Sequence, residues 1–162
     1  MKTLRIAALV GLAVTLLAAG VASAQAPPPY GPPITLEQAK KAIAGAEAEA
    51  RKINVGVVIA ILDSGGNVVL LQRMDNTQLG SIEVARQKAY SAVAYRRPGK
   101  AFADRLAGGG AGLQVLGLEG AVPLDGAFPI VADGKIIGGI GVSGGSGEQD
   151  GQIGSAGLNA LK

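Results

Sequence analysis

The sequence predicts an α/β (α+β) fold in which helices cover a mainly antiparallel sheet. Two hairpin signals indicate the antiparallel pairing: residues 63–67 read Asp-Ser-Gly-Gly-Asn between two apolar runs, and Asp133 with Gly134 separates two more. A strictly alternating βαβ chain does not contain such hairpins. Helical patterns before, between and after the hairpins supply the covering layers. The predicted element order is αββααβββα.

The first predicted helix spans about residues 36–53. It begins at a capping box, Thr35 with Gln38, and its apolar positions recur at helical spacing. Strands over residues 55–62 and 68–74 follow it. The second strand ends where charge returns at Arg73 and Asp75, which share one face two positions apart. These two side chains either form a surface pair or line the rim of a pocket.

The middle of the chain is predicted to be mostly helical. A helix that Ser81 caps and that runs to about Tyr95 carries Arg86 and Tyr90 one turn apart, so that the phenol can lie beside a guanidinium. Pro98 ends this helix, and a short one over residues 99–106 follows. The glycine-rich residues 108–112 are either a ligand lid or an unstructured connection. Residues 115–122 are predicted as a short strand.

The last hairpin joins strands over residues 128–132 and 136–142, and a glycine-rich turn over residues 143–147 follows it. Ser146 and Gln149 fit a capping box for a closing helix. Amides at such a helix start can seat a carboxylate or phosphate, although a tight connection without a ligand fits equally. The closing helix carries three glycines on one face, where we expect another backbone to pack closely: Gly151, Gly154 and Gly157.

The N-terminus is predicted to direct export. Lys2 and Arg5 precede an apolar run over residues 6–17, and Ala-Ser-Ala at 22–24 is a cleavage signal. We therefore predict a signal peptide over residues 1–24 and a periplasmic or secreted protein, an uncleaved anchor being the alternative. Residues 25–34 form a proline-rich leader, either a solvated tether or a segment lying along a neighbouring subunit. The remaining residues 35–162 are long enough for one domain.

Charge and composition exclude several classes of function. Of the 15 basic residues, two leave with the predicted signal peptide, so 13 face 12 acidic ones and nothing favours nucleic acid as a partner. The chain has no Cys and no His, which removes thiolate and imidazole catalysis and the commonest metal ligands. A serine nucleophile would have only Lys88 as a plausible activator, so catalysis is left undecided.

Several segments, taken in order, resemble the GlcG/HbpS family of small haem-binding and haem-degrading proteins, which also occurs as the C-terminal domain of PduO proteins. The resemblance spans about residues 35–162. It implies a five-stranded antiparallel sheet flanked by helices, a dimer or larger oligomer, and extracytoplasmic haem binding. The matching segments are Asp63 to Gly66, Arg73 to Asp75, Lys88 with Ala89, Phe128 to Ile130, Gly134, Gly138 to Gly144, and Glu148 to Asp150.

The resemblance also implies a haem site, but the axial His of some relatives is absent here. The iron-ligand candidates are therefore Tyr90 or Tyr95, Thr77 and Met74, since Tyr can ligate haem iron. Haem could instead lie between subunits by apolar contact, with Arg73 or Lys88 pairing its propionates. The full set of candidate cofactor-binding residues is Arg73, Asp75, Thr77, Lys88, Tyr90, Ser143 and Gly144.

Two functions follow as hypotheses. The first is an exported, oligomeric haem- or tetrapyrrole-binding protein with a role in haem sensing or degradation, for which a membrane sensor is a candidate partner. Haem breakdown needs no nucleophile and base pair, because the substrate brings its own reactivity. The alternative is a non-enzymatic binding module for a small organic acid such as glycolate, which the amides of residues 143–147 would hold together with Arg73 or Lys88.

Overall fold

The sheet lies at the centre of the fold. A computed structural model describes residues 26–162, so the predicted signal peptide lies outside the described residues. Within these residues there are four strands: β1 (Val58–Asp63), β2 (Val68–Arg73), β3 (Ala127–Ala132) and β4 (Lys135–Ser143). They pair antiparallel in the order β2-β1-β4-β3. The predicted antiparallel sheet with helices around it is confirmed.

Helices cover both faces of the sheet. The four helices are α1 (Leu36–Lys52), α2 (Ser81–Tyr95), α3 (Gly99–Ala107) and α4 (Gly147–Asn159). Alternate residues of β1 point to the two sides: Ile59 and Ile61 join the core beneath α1, whereas Val58, Ala60 and Leu62 pack against α2. Within residues 26–162, no helix is long and apolar enough to span a bilayer.

Both predicted capping boxes are present. Thr35 accepts a hydrogen bond from the amide of Gln38 at the start of α1, and Ser146 accepts one from Gln149 at the start of α4. In each box the glutamine side chain also accepts from the backbone N–H of the cap residue. These local bonds fix where the two helices on one side of the sheet begin.

The predicted fifth strand, residues 115–122, is wrong. Gly110–Gly117 is a 3₁₀ helix, and irregular chain follows it to β3. The segment's polar backbone is satisfied by α2 side chains: the Val122 amide donates to Ser91 Oγ, and Tyr95 Oη donates to the Glu119 carbonyl. Glycines interrupt the apolar run, which weakens it as a strand. The five-stranded sheet implied by the family resemblance therefore has four strands here.

The glycine-rich residues 108–112 are neither a lid nor an unstructured link. Gly109 and Gly110 take positive φ angles of 62° and 52° and turn the chain into the 3₁₀ helix. Gly112 then packs on α3, since a Cβ there would lie 1.9 Å from the carbonyl oxygen of Arg105. The segment is thus an ordered connection whose glycines permit a sharp turn and a close approach.

Glycines in β4 let α2 lie directly on the sheet. A Cβ at Gly141 would fall 2.1 Å from the carbonyl oxygen of Ala85, and one at Gly139 would fall 2.8 Å from that of Ala89. On the other side, a Cβ at Gly157 of α4 would lie 2.9 Å from the carbonyl oxygen of Ala42 in α1. The close backbone approach predicted for α4 is confirmed at Gly157, whereas Gly151 and Gly154 face the side chains of Asp125 and Phe128.

The leader docks on its own subunit, so the expectation of a solvated tether is wrong for residues 29–34. The Ile136 amide donates to the Pro29 carbonyl, and the Ile34 amide donates to the Ile137 carbonyl. The leader therefore bonds to the part of β4 that lies beyond the end of β1. Tyr30 Oη donates to the Val93 carbonyl at 3.0 Å, near the end of α2. Proline content predicts an extended chain but does not reveal this anchor.

Candidate functional site

The predicted site residues fall into two groups at opposite ends of the β1–β2 hairpin. Val58 pairs with both Arg73 and Ser143, so Arg73 and the glycine-rich turn share one end. Tyr90 lies beside Gly66, in the turn at the other end. Seven residues separate Arg73 from Gly66, which corresponds to about 20 Å of extended chain. The structure therefore does not bring Arg73 and Tyr90 into one site.

Two amides of the glycine-rich turn already have side-chain partners within the chain. Gly145 donates to Asp150 Oδ1 at 2.9 Å, and Ser146 donates to Gln149 Oε1 at 2.9 Å. Gly144 presses against the neighbouring backbone, because a Cβ there would lie 2.3 Å from the carbonyl oxygen of Gly56. The protein's own side chains thus occupy the carboxylate-binding site that was predicted at this helix start. Binding of an organic acid here stays a prediction without a geometric observation in its favour.

Lys88 is a buried cross-link. Its ammonium donates to Asp150 Oδ2 and to the Val142 carbonyl, both at 2.8 Å, and the Lys88 and Asp150 side chains are only 3% and 4% exposed. Burial raises the pKa of the Asp150 carboxyl, and the Lys88 ammonium with the Gly145 N–H offset part of that rise. The pair ties α2, β4 and α4 together. With its ammonium committed here, Lys88 does not project into a surface groove.

The remaining candidates near the glycine-rich turn differ in exposure. Arg73 and Asp75 are exposed, and no ion pair joins them among the described residues. Met74 is half-buried and packs against the core. Thr77 is buried, and its hydroxyl has no hydrogen-bond partner among residues 26–162. Ser143 is also buried, and its hydroxyl bonds Ser81 Oγ at 3.2 Å.

Tyr90 lines a surface groove of about 520 Å³. The phenol is 40% exposed. Arg86 lines the same groove one turn earlier on α2, but its Nε donates to Glu83 Oε2 at 2.9 Å, and this hydrogen bond raises the pKa of the guanidinium. The groove is formed by one side of α2 and by the irregular chain before β3: Arg86, Gln87, Tyr90, Glu119, Gly120, Ala121 and Val122.

Two glycines hold the Tyr90 ring from its two edges. A Cβ at Gly66 would lie 3.1 Å from Cδ2 and Cε2 of the ring, and a Cβ at Gly120 would lie 2.9 Å from Cε1. Both glycines have positive φ angles, 83° and 73°. Sequence reasoning missed this arrangement, because Gly66 and Gly120 are far from Tyr90 in the chain. Only Gly66 carried a turn signal in the sequence, because Gly120 fell within the predicted strand over residues 115–122.

Another groove, of about 500 Å³, lies between α3, α4 and the start of β3. Three carboxylates line it, those of Asp104, Asp125 and Glu148, against the single ammonium of Lys100. That ammonium donates to Asp104 at 2.6 Å. The surface is therefore negative and disfavours an anionic ligand. Within the described part of the chain, no cluster of three or more His, Cys, Asp or Glu residues is arranged to hold a metal ion.

A family model described as "Haem degrading protein HbpS-like" matches residues 34–159. The chain belongs to the HbpS-like family. Among its HbpS-like relatives, the uncharacterized 15.0 kDa protein of the dhaT-dhaS intergenic region of Citrobacter freundii is 41% identical, over 72% of this chain and 84% of that protein. The protein GlcG of Escherichia coli K12 is 34% identical over 68% of this chain and 81% of its own length.

Solved HbpS-like structures share the fold. A crystal structure of HbpS superposes with a TM-score of 0.74 at 34% identity, covering 82% of this chain and 92% of that one. A crystal structure of a PduOC–haem complex superposes with a TM-score of 0.72 at 32% identity, covering 79% and 94%. The match to the corrinoid adenosyltransferase PduO of Salmonella typhimurium covers only 34% of that protein.

Proposed function

We propose that this HbpS-like chain is an exported protein that binds haem in the groove beside Tyr90. The observation that carries the proposal is a phenol oxygen and a guanidinium on one groove, in a chain whose family includes a domain solved with haem. The chain also belongs to a family described as haem-degrading, which supports haem as the ligand. Sensing and degradation of haem are the two roles that this proposal covers.

The residues of the groove fit the chemistry of haem. Tyr is a haem ligand in proteins, and the phenol of Tyr90 is exposed at the groove surface. Arg86 offers a guanidinium to a propionate, in exchange for its present partner Glu83. The volume of about 520 Å³ lies within the usual range for small-molecule sites, and Ala121 and Val122 give it an apolar wall. Bound haem would supply the iron chemistry, and these residues would orient and hold it.

The other predicted iron ligands fit less well. Thr77 Oγ1 is enclosed by protein, and Met74 packs against the core, so neither is directed at a groove of sufficient size. Tyr95 Oη donates to the Glu119 carbonyl at 2.6 Å, and its ring packs edge-on against Phe102. Tyr95 therefore supports the wall of the groove, which leaves Tyr90 as the favoured ligand.

Replacing Tyr90 with Phe is expected to weaken hemin binding by at least about tenfold, because only the ligating oxygen is removed. The measurement is a titration of the purified mature protein with hemin, followed by the shift of its Soret band. Tyr30→Phe is the matched control, since Tyr30 has a similar exposure of 48% but lies in the leader. A wild-type spectrum identical to that of free hemin would reject haem binding, and equal affinities for both variants would reject Tyr90 as the ligand.

Export and self-association belong to the same proposal. The signal-peptide pattern supports cleavage before Gln25, and exposed leucines such as Leu113 and Leu116 suit a contact with a second copy. Expression of the full chain in a bacterial host should give an extracytoplasmic product that starts at Gln25 and has a mass in solution that is a multiple of the single chain. A cytoplasmic product with an intact N-terminus would contradict export. A monomer would contradict self-association.

A further inference from the structure

We propose that the Tyr90 site selects porphyrins that carry a trivalent metal, ferric haem above all, over those that carry a divalent metal. This inference rests on the proposed function, because it concerns the same groove. It goes further by naming the oxidation state that the protein recognises. Its physical basis is a tyrosine oxygen, which would bind a metal as phenolate, on a ring flanked by two glycines in a groove that no soft donor lines.

The position of the phenol is fixed from both sides. Gly66 and Gly120 approach opposite edges of the Tyr90 ring so closely that a methyl group on either would lie within 3.1 Å of it. The distance at Gly120 is shorter than real Cβ contacts, and the distance at Gly66 is shorter than most of them, so both backbones lie close to the ring. The two glycine backbones therefore flank a ring that already lines the groove before any ligand binds.

The two flanking turns are themselves anchored. The carboxylate of Asp63 accepts from the amides of Gly65 at 2.8 Å and Asn67 at 2.9 Å, which fixes the turn that contains Gly66. Burial opposes ionisation of Asp63, but these hydrogen bonds outweigh it and lower the pKa of its carboxyl. The turn therefore keeps its charged anchor at neutral pH.

The chain is held to α2 on both sides of Gly120. Tyr95 Oη donates to the Glu119 carbonyl at 2.6 Å, and the Val122 amide donates to Ser91 Oγ at 3.0 Å. Both partners lie on the helix that carries Tyr90, so the ring and its wall are parts of one rigid unit. Gly66, Gly120, Ser91 and Tyr95 act as positioning residues, because each affects the metal through Tyr90.

Charge then selects the metal. If Tyr90 Oη were to ligate the metal, its phenol proton would pass to solvent and the metal would keep its oxidation state. A porphyrin with a trivalent metal keeps a positive charge at its centre, which attracts the phenolate, whereas a porphyrin with a divalent metal is neutral there. Imidazole, thiolate and thioether ligands would reduce this preference, but the chain has no His or Cys, and Met74 packs against the core.

The test compares two probes of the same shape, hemin and zinc protoporphyrin IX, by titration of the wild-type protein and of Tyr90→Phe. We expect the wild type to bind hemin at least about tenfold more tightly, and Tyr90→Phe to lose that preference while its affinity for the zinc porphyrin changes less than about twofold. Equal wild-type affinities for the two probes, or an equal loss for both in Tyr90→Phe, would overturn the inference. A preference for hemin in Tyr90→Phe as large as in the wild type would also overturn it.

A second variant tests the positioning. Gly120→Ala should displace the ring and lower the ratio of hemin to zinc porphyrin affinity. Gly134→Ala is the control, since Gly134 has a similar φ of 71° but no atom within 4 Å of its Cβ position. If both variants are folded and keep the wild-type ratio, the glycines do not position the phenol. If the wild type binds both probes equally, haem binding stands and the selection fails; if it binds neither, the proposed function fails with it.

Discussion

Replacing Gly141 with alanine is expected to lower the free energy of unfolding by about 3 kcal/mol, the upper end of the usual range for overpacking. The added methyl group would lie 2.1 Å from the carbonyl oxygen of Ala85 and 2.5 Å from the amide nitrogen of Ala89. Both atoms belong to the backbone of α2, so no side-chain rotation relieves the clash. The helix must move away from β4, which opens the core on that side. Urea denaturation of the purified variant measures the loss.

Gly117→Ala is the matched control for this experiment. Gly117 has no atom within 4 Å of its Cβ position, and its φ lies outside the left-handed region. Its replacement should change the free energy of unfolding by less than about 0.5 kcal/mol, as is usual at surface positions. If Gly141→Ala unfolds at the same urea concentration as Gly117→Ala, then α2 does not lie directly on β4.

The parts of the fold that the sequence predicts well are those encoded by neighbouring residues. The hairpin at Asp63 to Asn67 and the helix starts at Thr35 and Ser146 depend on bonds within a few positions. Each signal includes both partners of its hydrogen bond, so it can be recognised without the rest of the chain. The antiparallel sheet follows from the hairpins in the same way.

The false strand at residues 115–122 shows the limit of this reasoning. An apolar run indicates burial, but it does not indicate which surface covers it or whether any does. Leu116 is 67% exposed, whereas Val115 is buried. The segment is fixed by Ser91 and Tyr95 of α2, more than twenty positions earlier in the chain, and no local pattern contains that information.

Helix geometry explains why the predicted site residues on α2 do not lie in one site. Lys88 and Tyr90 are two positions apart on α2, so their side chains point about 200° apart around the axis. One is buried against Asp150, and the other faces the groove. Positions that are two apart do not share a helix face, so a single site containing both residues was not a consistent expectation.

The exchange of Lys88 for methionine is expected to cost about 3–5 kcal/mol of unfolding free energy, because it leaves the carboxylate of Asp150 buried without its counter-ion. Methionine keeps much of the length and apolar volume of the lysine stem, so lost packing contributes little. Lys100→Met is the control: its ammonium also bonds an aspartate, Asp104 at 2.6 Å, but both side chains are more than half exposed. That surface pair should contribute at most about 1 kcal/mol.

The pH dependence distinguishes a buried charge from lost packing. Burial already raises the pKa of Asp150 above 3.8, and removal of the ammonium raises it further. A carboxyl with a raised pKa in the folded state favours folding fully below its unfolded pKa and loses that contribution as the pH rises through the folded value. The deficit of Lys88→Met should therefore be smaller at about pH 5 than at about pH 8. A deficit independent of pH would show that packing, not charge, is lost.

The double variant Lys88→Met, Asp150→Asn completes this experiment. Removing both charges relieves the desolvation cost of the unpaired carboxylate, and the asparagine oxygen can still accept from the Gly145 amide that Asp150 now binds. The double variant should therefore be more stable than Lys88→Met at about pH 8 and should show no such pH dependence. If it is less stable than the single variant, the ion pair is not the main interaction that Lys88 makes. In that case the deficit of Lys88→Met comes from the lost hydrogen bond to the Val142 carbonyl or from lost packing, not from an unpaired carboxylate.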